Sequence, residues 1–218
     1  MGKKEADRAK SQLRERLEGT RTAWREIDRA IEAELANVAV SCRPGCASCC
    51  TQEITVARAE AEAIADWIKT SWDDAQIAAF SDSLRAWLAW YREQYPRQVA
   101  SGLSRSAVFY ELAPACPALV DNACSIYPAR PLTCRTMYVT SPVGACRRKT
   151  DPDHDPAAKL VPVHALRRVT EPAHLKLKAL VEKQGADYIA TAHLLPEWLA
   201  HLLRVEDQPW RTTPPVFG

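Results

Sequence analysis

A chain of 218 residues, 47% of them hydrophobic and seven of them tryptophan, has enough apolar side chain to bury a core of its own. Its formal charge of +2 gives neither the basic surplus of a nucleic-acid binder nor an acidic tail. No run approaches the ~20 apolar residues of a membrane-spanning helix, and the charged start Met1-Gly-Lys-Lys-Glu-Ala-Asp-Arg has no apolar stretch behind it, so the expectation is a cytoplasmic protein with no membrane segment.

Residues 3–38 read as one long amphipathic helix, with Leu13, Leu17, Trp24, Ile27, Ile31 and Leu35 at spacings of three, four and seven. Its apolar face needs an antiparallel partner within the chain or in a second subunit, which leaves a homo-oligomer built through helices open. Thr51-Gln-Glu-Ile-Thr-Val is a short extended piece and Ala57–Lys69 is helical by composition. The clearest helix follows, with Ile77, Phe80, Leu84, Trp87, Leu88, Tyr91 and Tyr95 in one stripe, Ser71 or Asp73 as its cap and Pro96 as its stop. From 96 to 156 periodicity fades, and eight of the fifteen prolines and four cysteines fall there. A stretch so irregular needs an organiser, and bound metal is the obvious one. Helix returns through Leu175, Leu180 and Val181 to a stop at Gly185. A second segment carries Ile189, Leu194, Leu195, Trp198, Leu202 and Leu203, kinked or started by Pro196, and 205–218 reads as an irregular tail. The expected fold is all-α, its helices packed around an irregular, metal-organised cysteine-rich region. It divides into an N-terminal helix (1–40), a cysteine-cluster domain (41–150) and a C-terminal helical segment and tail (151–218).

The eight cysteines are Cys42, Cys46, Cys49, Cys50, Cys116, Cys124, Cys134 and Cys146. Scattered cysteines are ordinarily small core residues, but four within nine residues, beside Pro44 and Gly45, point to metal. In the cytoplasm thiols stay reduced, which sets a disulfide scaffold aside. Thiolates select zinc, copper(I) or iron–sulfur clusters. Adjacent Cys49 and Cys50 point to opposite sides of extended backbone, so one ion rarely takes both. Two four-cysteine sites, with Cys49 facing one and Cys50 the other, would use all eight. The spacing Cys42-x3-Cys46-x2-Cys49 also matches the triplet of radical-SAM enzymes, but the chain has too few strand signals for their barrel and Ser48 stands where an aromatic is usual.

The later segment Cys116-Pro-Ala-Leu-Val-Asp-Asn-Ala-Cys124-Ser-Ile-Tyr-Pro-Ala-Arg-Pro-Leu-Thr-Cys134-Arg, with Cys42-Arg-Pro-Gly-Cys-Ala-Ser-Cys-Cys50 and Cys146, resembles the YkgJ-type cysteine-cluster family over residues 42–146. The resemblance implies a zinc- or iron-chelating domain, often labelled an iron–sulfur protein, with all eight cysteines in its pattern. A three-residue gap between Cys42 and Cys46, where two is commoner, departs from that pattern and removes no ligand. The flagellin lysine methylases carry a similar cluster, so a protein-modifying enzyme is one alternative, although no methyl-donor site is recognisable here.

Structural zinc prefers paired C-x2-C knuckles, and only Cys46-x2-Cys49 fits. The later gaps of seven, nine and eleven residues suit an iron–sulfur cluster, most simply a 4Fe-4S cluster, with a structural-zinc interaction module as the alternative. Arg130 and Arg135 flank Cys134 and are expected to stabilise an anionic cluster, whereas Arg147, Arg148 and Lys149 could equally be a solvated basic surface. Tyr127 could donate to sulfur, with core packing the simpler reading of its ring. His164, His174, His193 and His201 form no ligand pair, and His154 in Asp151-Pro-Asp-His-Asp is the one histidine close enough in sequence to Cys146 to be considered a ligand. The acidic residues there read as a solvated turn. There is no Gly-rich phosphate loop and no nucleophile elbow, so no substrate is named. The expected role is electron transfer or redox support, with an unidentified protein partner.

Overall fold

The computed structural model describes residues 2–43, 45–207 and 209–210. Helix α1 (Lys3–Leu35) buries Thr20, Ala23, Trp24, Ile27 and Ile31 on one face. It stops three residues earlier than its sequence suggests, where Asn37 and the β-branched Val38 and Val40 disfavour helix. Its partners lie within the chain, α2 (Arg58–Ser71) and α7 (Leu166–Glu182). Helix α2 is buried along most of its length, and its alternating alanines Ala59, Ala61, Ala63 and Ala65 let neighbouring helices approach closely. With Ile64 and Ile68 it forms the middle of the main core.

Helix α3 (Asp74–Glu93) is capped by Asp73 rather than Ser71. Asp73 Oδ1 accepts from the Gln76 N–H at 2.8 Å, and Gln76 Oε1 accepts from the Asp73 N–H at 3.0 Å. Pro96 follows the end of α3 as expected and also occupies the first turn of α4 (Tyr95–Ala100), where its missing N–H is no loss. The region 96–156 is also more ordered than its sequence suggests. It contains α5 (Arg105–Leu112), capped by Ser104, and α6 (Leu132–Arg135), elements too short to show periodicity. Trp87, Leu88, Tyr91, Tyr95, Val108 and Phe109 make a second core between α3, α4 and α5.

Helix α7 runs through Leu175, Leu180 and Val181 as expected; its buried stripe is Leu166, Ala173, Leu177 and Val181, and Leu175 points to solvent at 59% exposure. Gly185, at φ +81°, follows the helix as expected. Ile189 is likewise exposed and non-helical, and Leu194 lies on a strand; Pro196 starts α8 (Leu195–Leu202). Strand β1 (Thr55–Val56) pairs antiparallel with β4 (His193–Leu194), and β2 (Leu119–Val120) with β3 (Ala123–Cys124). The β1–β4 pair brings α8 onto the end of the first cysteine loop. Residues 205–207 and 209–210 have no regular structure, and the rest of the expected tail lies outside the described residues. The molecule is mostly helical, with the cysteine region held among the helices. Among the described residues no helix is long and apolar enough to cross a membrane.

Candidate metal centre

The cysteine region is assembled from two stretches that lock onto each other through the main chain. After α1, the Ser41 N–H donates to the Val139 carbonyl at 2.9 Å and the Cys42 thiol faces the Met137 carbonyl at 3.8 Å. Gly45, at φ +84°, turns the chain so that Cys46 follows directly. Cys49 and Cys50 sit on a 3-10 turn, Ser48–Thr51, and the Cys50 carbonyl accepts from the Cys116 N–H at 2.6 Å. That bond joins the first stretch to the second. The β2–β3 hairpin turns at Asp121 and Asn122, whose φ values of 50° and 60° suit residues that tolerate left-handed backbone, and returns the chain to Cys124 opposite Leu119. Cys134 lies on α6, and Cys146 ends another 3-10 turn, Val143–Cys146.

All eight are free, half-buried thiols, and their surroundings divide them. Cys116, Cys124 and Cys134 pack against the main hydrophobic core. Burial pushes the Cys116 thiol up to about 11 and the Cys134 thiol well above its ordinary value, and Cys124 is also raised. Cys116, Cys49 and Cys124 each oppose ionisation of Cys134, and Cys116 and Cys124 oppose that of Cys50. The outer thiols answer to one another instead. After burial, Cys46 and Cys49 act on Cys42, and Cys42, Cys46 and Cys49 act on Cys146. Cys49 therefore stands between the two sets. Its thiol is lowered to about 7, chiefly because Cys50 donates a hydrogen bond to it, and the Cys50 thiol is correspondingly raised. Among the described residues no three His, Cys, Asp or Glu side chains are arranged to hold an ion as they stand.

The arginines fall into different roles. Arg130 favours the thiolates of Cys49 and Cys124, and its guanidinium lies 3.8 Å from the centroid of the Tyr127 ring. Tyr127 is thus a surface residue, 55% exposed and stacked on Arg130, rather than a core ring. Arg135 is buried and turned toward α1. It donates to the carbonyls of Arg130 at 2.8 Å and Pro128 at 2.7 Å and to Asp28 at 2.5 Å, with its guanidinium 4.9 Å from the Trp24 ring centroid. It fixes the main chain between Cys124 and Cys134. Arg147 favours the Cys146 thiolate. The Nε atoms of Arg130 and Arg147 are buried without a hydrogen-bond partner, two orphaned cationic N–H groups beside thiols. An all-sulfur donor set next to such groups fits an anionic thiolate centre in kind.

His154 is held by its Nδ1, 3.0 Å from the Arg147 carbonyl, and Asp151 and Asp155 accept from main-chain N–H groups in a tight turn. His193 and His201 pack edge-on against Trp198 and at a tilt against Trp210. The residue that sequence reasoning missed is Glu60. It is buried, and its Oε1 accepts from the Leu132 N–H at 2.8 Å and from Trp24 Nε1 at 3.5 Å, holding the start of the Cys134 turn. Within Arg58-Ala-Glu-Ala-Glu-Ala-Ile it reads as an ordinary solvated helix charge, and only the buried alanines around it hint otherwise.

No curated protein and no solved structure matches the chain. The model of the CxxCxxCC family, described as "Putative zinc- or iron-chelating domain", matches residues 41–155, more than half of the chain and every cysteine in it, so the protein belongs to that metal-chelating cysteine-cluster family.

Proposed function

We propose that the cysteines hold iron–sulfur centres and that the protein serves in the cytoplasm as an electron carrier or redox accessory to another protein. The observation that carries this reading is the division of the thiols by surroundings. Cys116, Cys124 and Cys134 pack on the core, Cys42, Cys46 and Cys146 are not part of it, and Cys49 acts on thiols of both groups. Two four-thiolate centres, Cys50/Cys116/Cys124/Cys134 within and Cys42/Cys46/Cys49/Cys146 without, use every cysteine once. Such clusters supply one-electron chemistry when bound. The chain's own contribution is to exclude water from the inner set, to compensate its negative charge through Arg130, and to fix the Cys124–Cys134 connection through Arg135 and Glu60. The wide, unpaired spacings of the last four cysteines support iron–sulfur over a zinc ribbon.

Elemental analysis with a visible spectrum, on protein purified without oxygen, tests the proposal. About four or more irons with matching sulfide and a band near ~400 nm are expected. About one or two zincs in a colourless protein would overturn it and make the cysteines a structural module.

A further inference from the structure

The outer thiols open onto a cleft of ≈ 500 Å³, lined by Cys46 and Cys146 together with Arg43, Arg147, Arg148 and Asp151. The outer centre would itself take part of that volume, and the arginine-lined part leaves room for a small anion beside it. Three guanidinium groups face one carboxylate, so the walls carry a net positive charge. The main chain that presents Arg147 is fixed, since its carbonyl accepts from the Tyr110 hydroxyl at 3.2 Å and lies 3.0 Å from His154 Nδ1, and the Arg148 guanidinium is anchored through one Nη to the Ala113 carbonyl. Gly144 lets this rim close up, since a Cβ there would stand 2.9 Å from the Asp155 Cβ and 3.0 Å from the Asp153 carbonyl. Asp151 occupies part of Arg147, at 3.2 Å from Nη1, and Arg147 Nε is the buried group already turned to the thiols. Arg43 is exposed on the first cysteine loop. The carboxylates of Asp153 and Asp155 lie in the adjoining turn, where Asp155 accepts from the N–H groups of Ala157 and Ala158.

We propose that this cleft binds a small organic or inorganic anion, its carboxylate or phosphate group held by Arg43, Arg147 and Arg148 against the outer thiols Cys46 and Cys146. Forked guanidinium groups match both oxyanions in geometry, and the partly enclosed setting strengthens each charge-assisted bond. The proposal goes beyond metal binding and rests on the iron–sulfur reading only in placing the anion beside a centre whose spectrum would report its arrival. Were the arginines there merely to offset thiolate charge, their removal would change metal content and no added anion would bind.

The test is calorimetric titration of the metal-loaded protein with inorganic phosphate and, separately, with citrate, in a chloride background of matched ionic strength. Saturable binding is expected. Arg43→Ala should weaken it about tenfold with metal content unchanged. Asp151→Asn keeps the oxygen that accepts from the Asp153 N–H and removes the competing charge, so it should tighten binding several-fold, a gain that a damaged fold would not produce. The stronger of the two probes assigns the anion to the phosphate or the carboxylate class. No saturable heat with either probe up to about 10 mM, or affinity unmoved by both substitutions, would overturn the proposal. Metal content and sulfide, read on the same samples, show separately whether the iron–sulfur reading stands.

Discussion

Glu60 is the side chain through which the helical scaffold grips the turn that carries Cys134. Burial pushes its carboxyl above the ordinary range, against the opposing pull of the Leu132 and Trp24 hydrogen bonds and the Arg135 charge. An acid whose pKa is raised in the fold favours the folded state while protonated. That contribution is complete below the ordinary carboxyl value and is lost as pH rises through the folded one. Glu60→Gln keeps a carbonyl oxygen for the Leu132 N–H and has nothing to ionise. Its stability relative to the native protein should therefore grow from acidic to alkaline pH in urea unfolding, and a gap that stays constant would mean Glu60 carries no such cost. Glu60→Ala leaves the Leu132 N–H unpaired and should lose about 1–3 kcal/mol. Arg135 answers Glu60 from the other side of the same turn. Lysine cannot reach two carbonyls and Asp28 at once, so Arg135→Lys should cost about 2 kcal/mol and speed the loss of metal to a chelator. An unchanged transfer rate would detach this clamp from the metal centre.

Among the elements, α2 carries the architecture, because α1, α7 and α8 all pack on it. Its second buried carboxylate, Glu62, takes the Nη2 of Arg16 on α1 at 2.8 Å and the Nε of Arg58 at 2.8 Å, while Arg16 also bonds Gln184 just beyond α7. The cluster pins three helices in one register. Arg16→Ala strands part of a buried charge and should cost about 3 kcal/mol, whereas the paired change Arg16→Met with Glu62→Leu should recover most of it. A double variant no more stable than Arg16→Ala would show that the ion pair itself, not its imbalance, holds the helices. This kind of contact explains what the sequence could and could not reveal. Long stripes such as Trp24/Ile27/Ile31 and Ile77/Phe80/Leu84 place α1 and α3 without help, because each repeats over several turns. Helices α4 and α5 span only a turn or two, so no period accumulates, and Pro96 gives the same signal whether it ends one helix or begins the next. The metal-binding character of the cysteines was plain from their density. Adjacent Cys49 and Cys50 already suggested two sets; which of the later cysteines pack on the core was not legible, because it depends on the second stretch docking at the Cys50 carbonyl, a contact between residues 66 positions apart. Buried Glu60 and Glu62 were hidden for a similar reason: their burial is imposed by α1 and by the Leu132 turn, not by their neighbours in sequence.

At the scale of the whole molecule, the helices supply a rigid frame and the cysteine region supplies the chemistry, and protons couple the two. Burial, neighbouring thiols or both raise Cys42, Cys50, Cys116, Cys124, Cys134 and Cys146, so at neutral pH the metal-free protein keeps these as thiols, while Cys49, at about 7, is shared between its forms. Metal binds thiolates, and each ligand must therefore give up its proton on loading. The sign follows directly: raising the pH removes protons that compete with metal, so affinity should climb steadily through the neutral range and fall on acidification. If all eight cysteines ligate, titration of the metal-free protein with zinc(II), which brings no sulfide and so no protons of its own, should release about six protons or more per chain, which calorimetry in buffers of different ionisation enthalpy would count. About three or four would mean that only one of the two thiol sets is filled. A count near zero would mean that the thiols are already ionised in the free protein, contrary to the direction in which burial moves them.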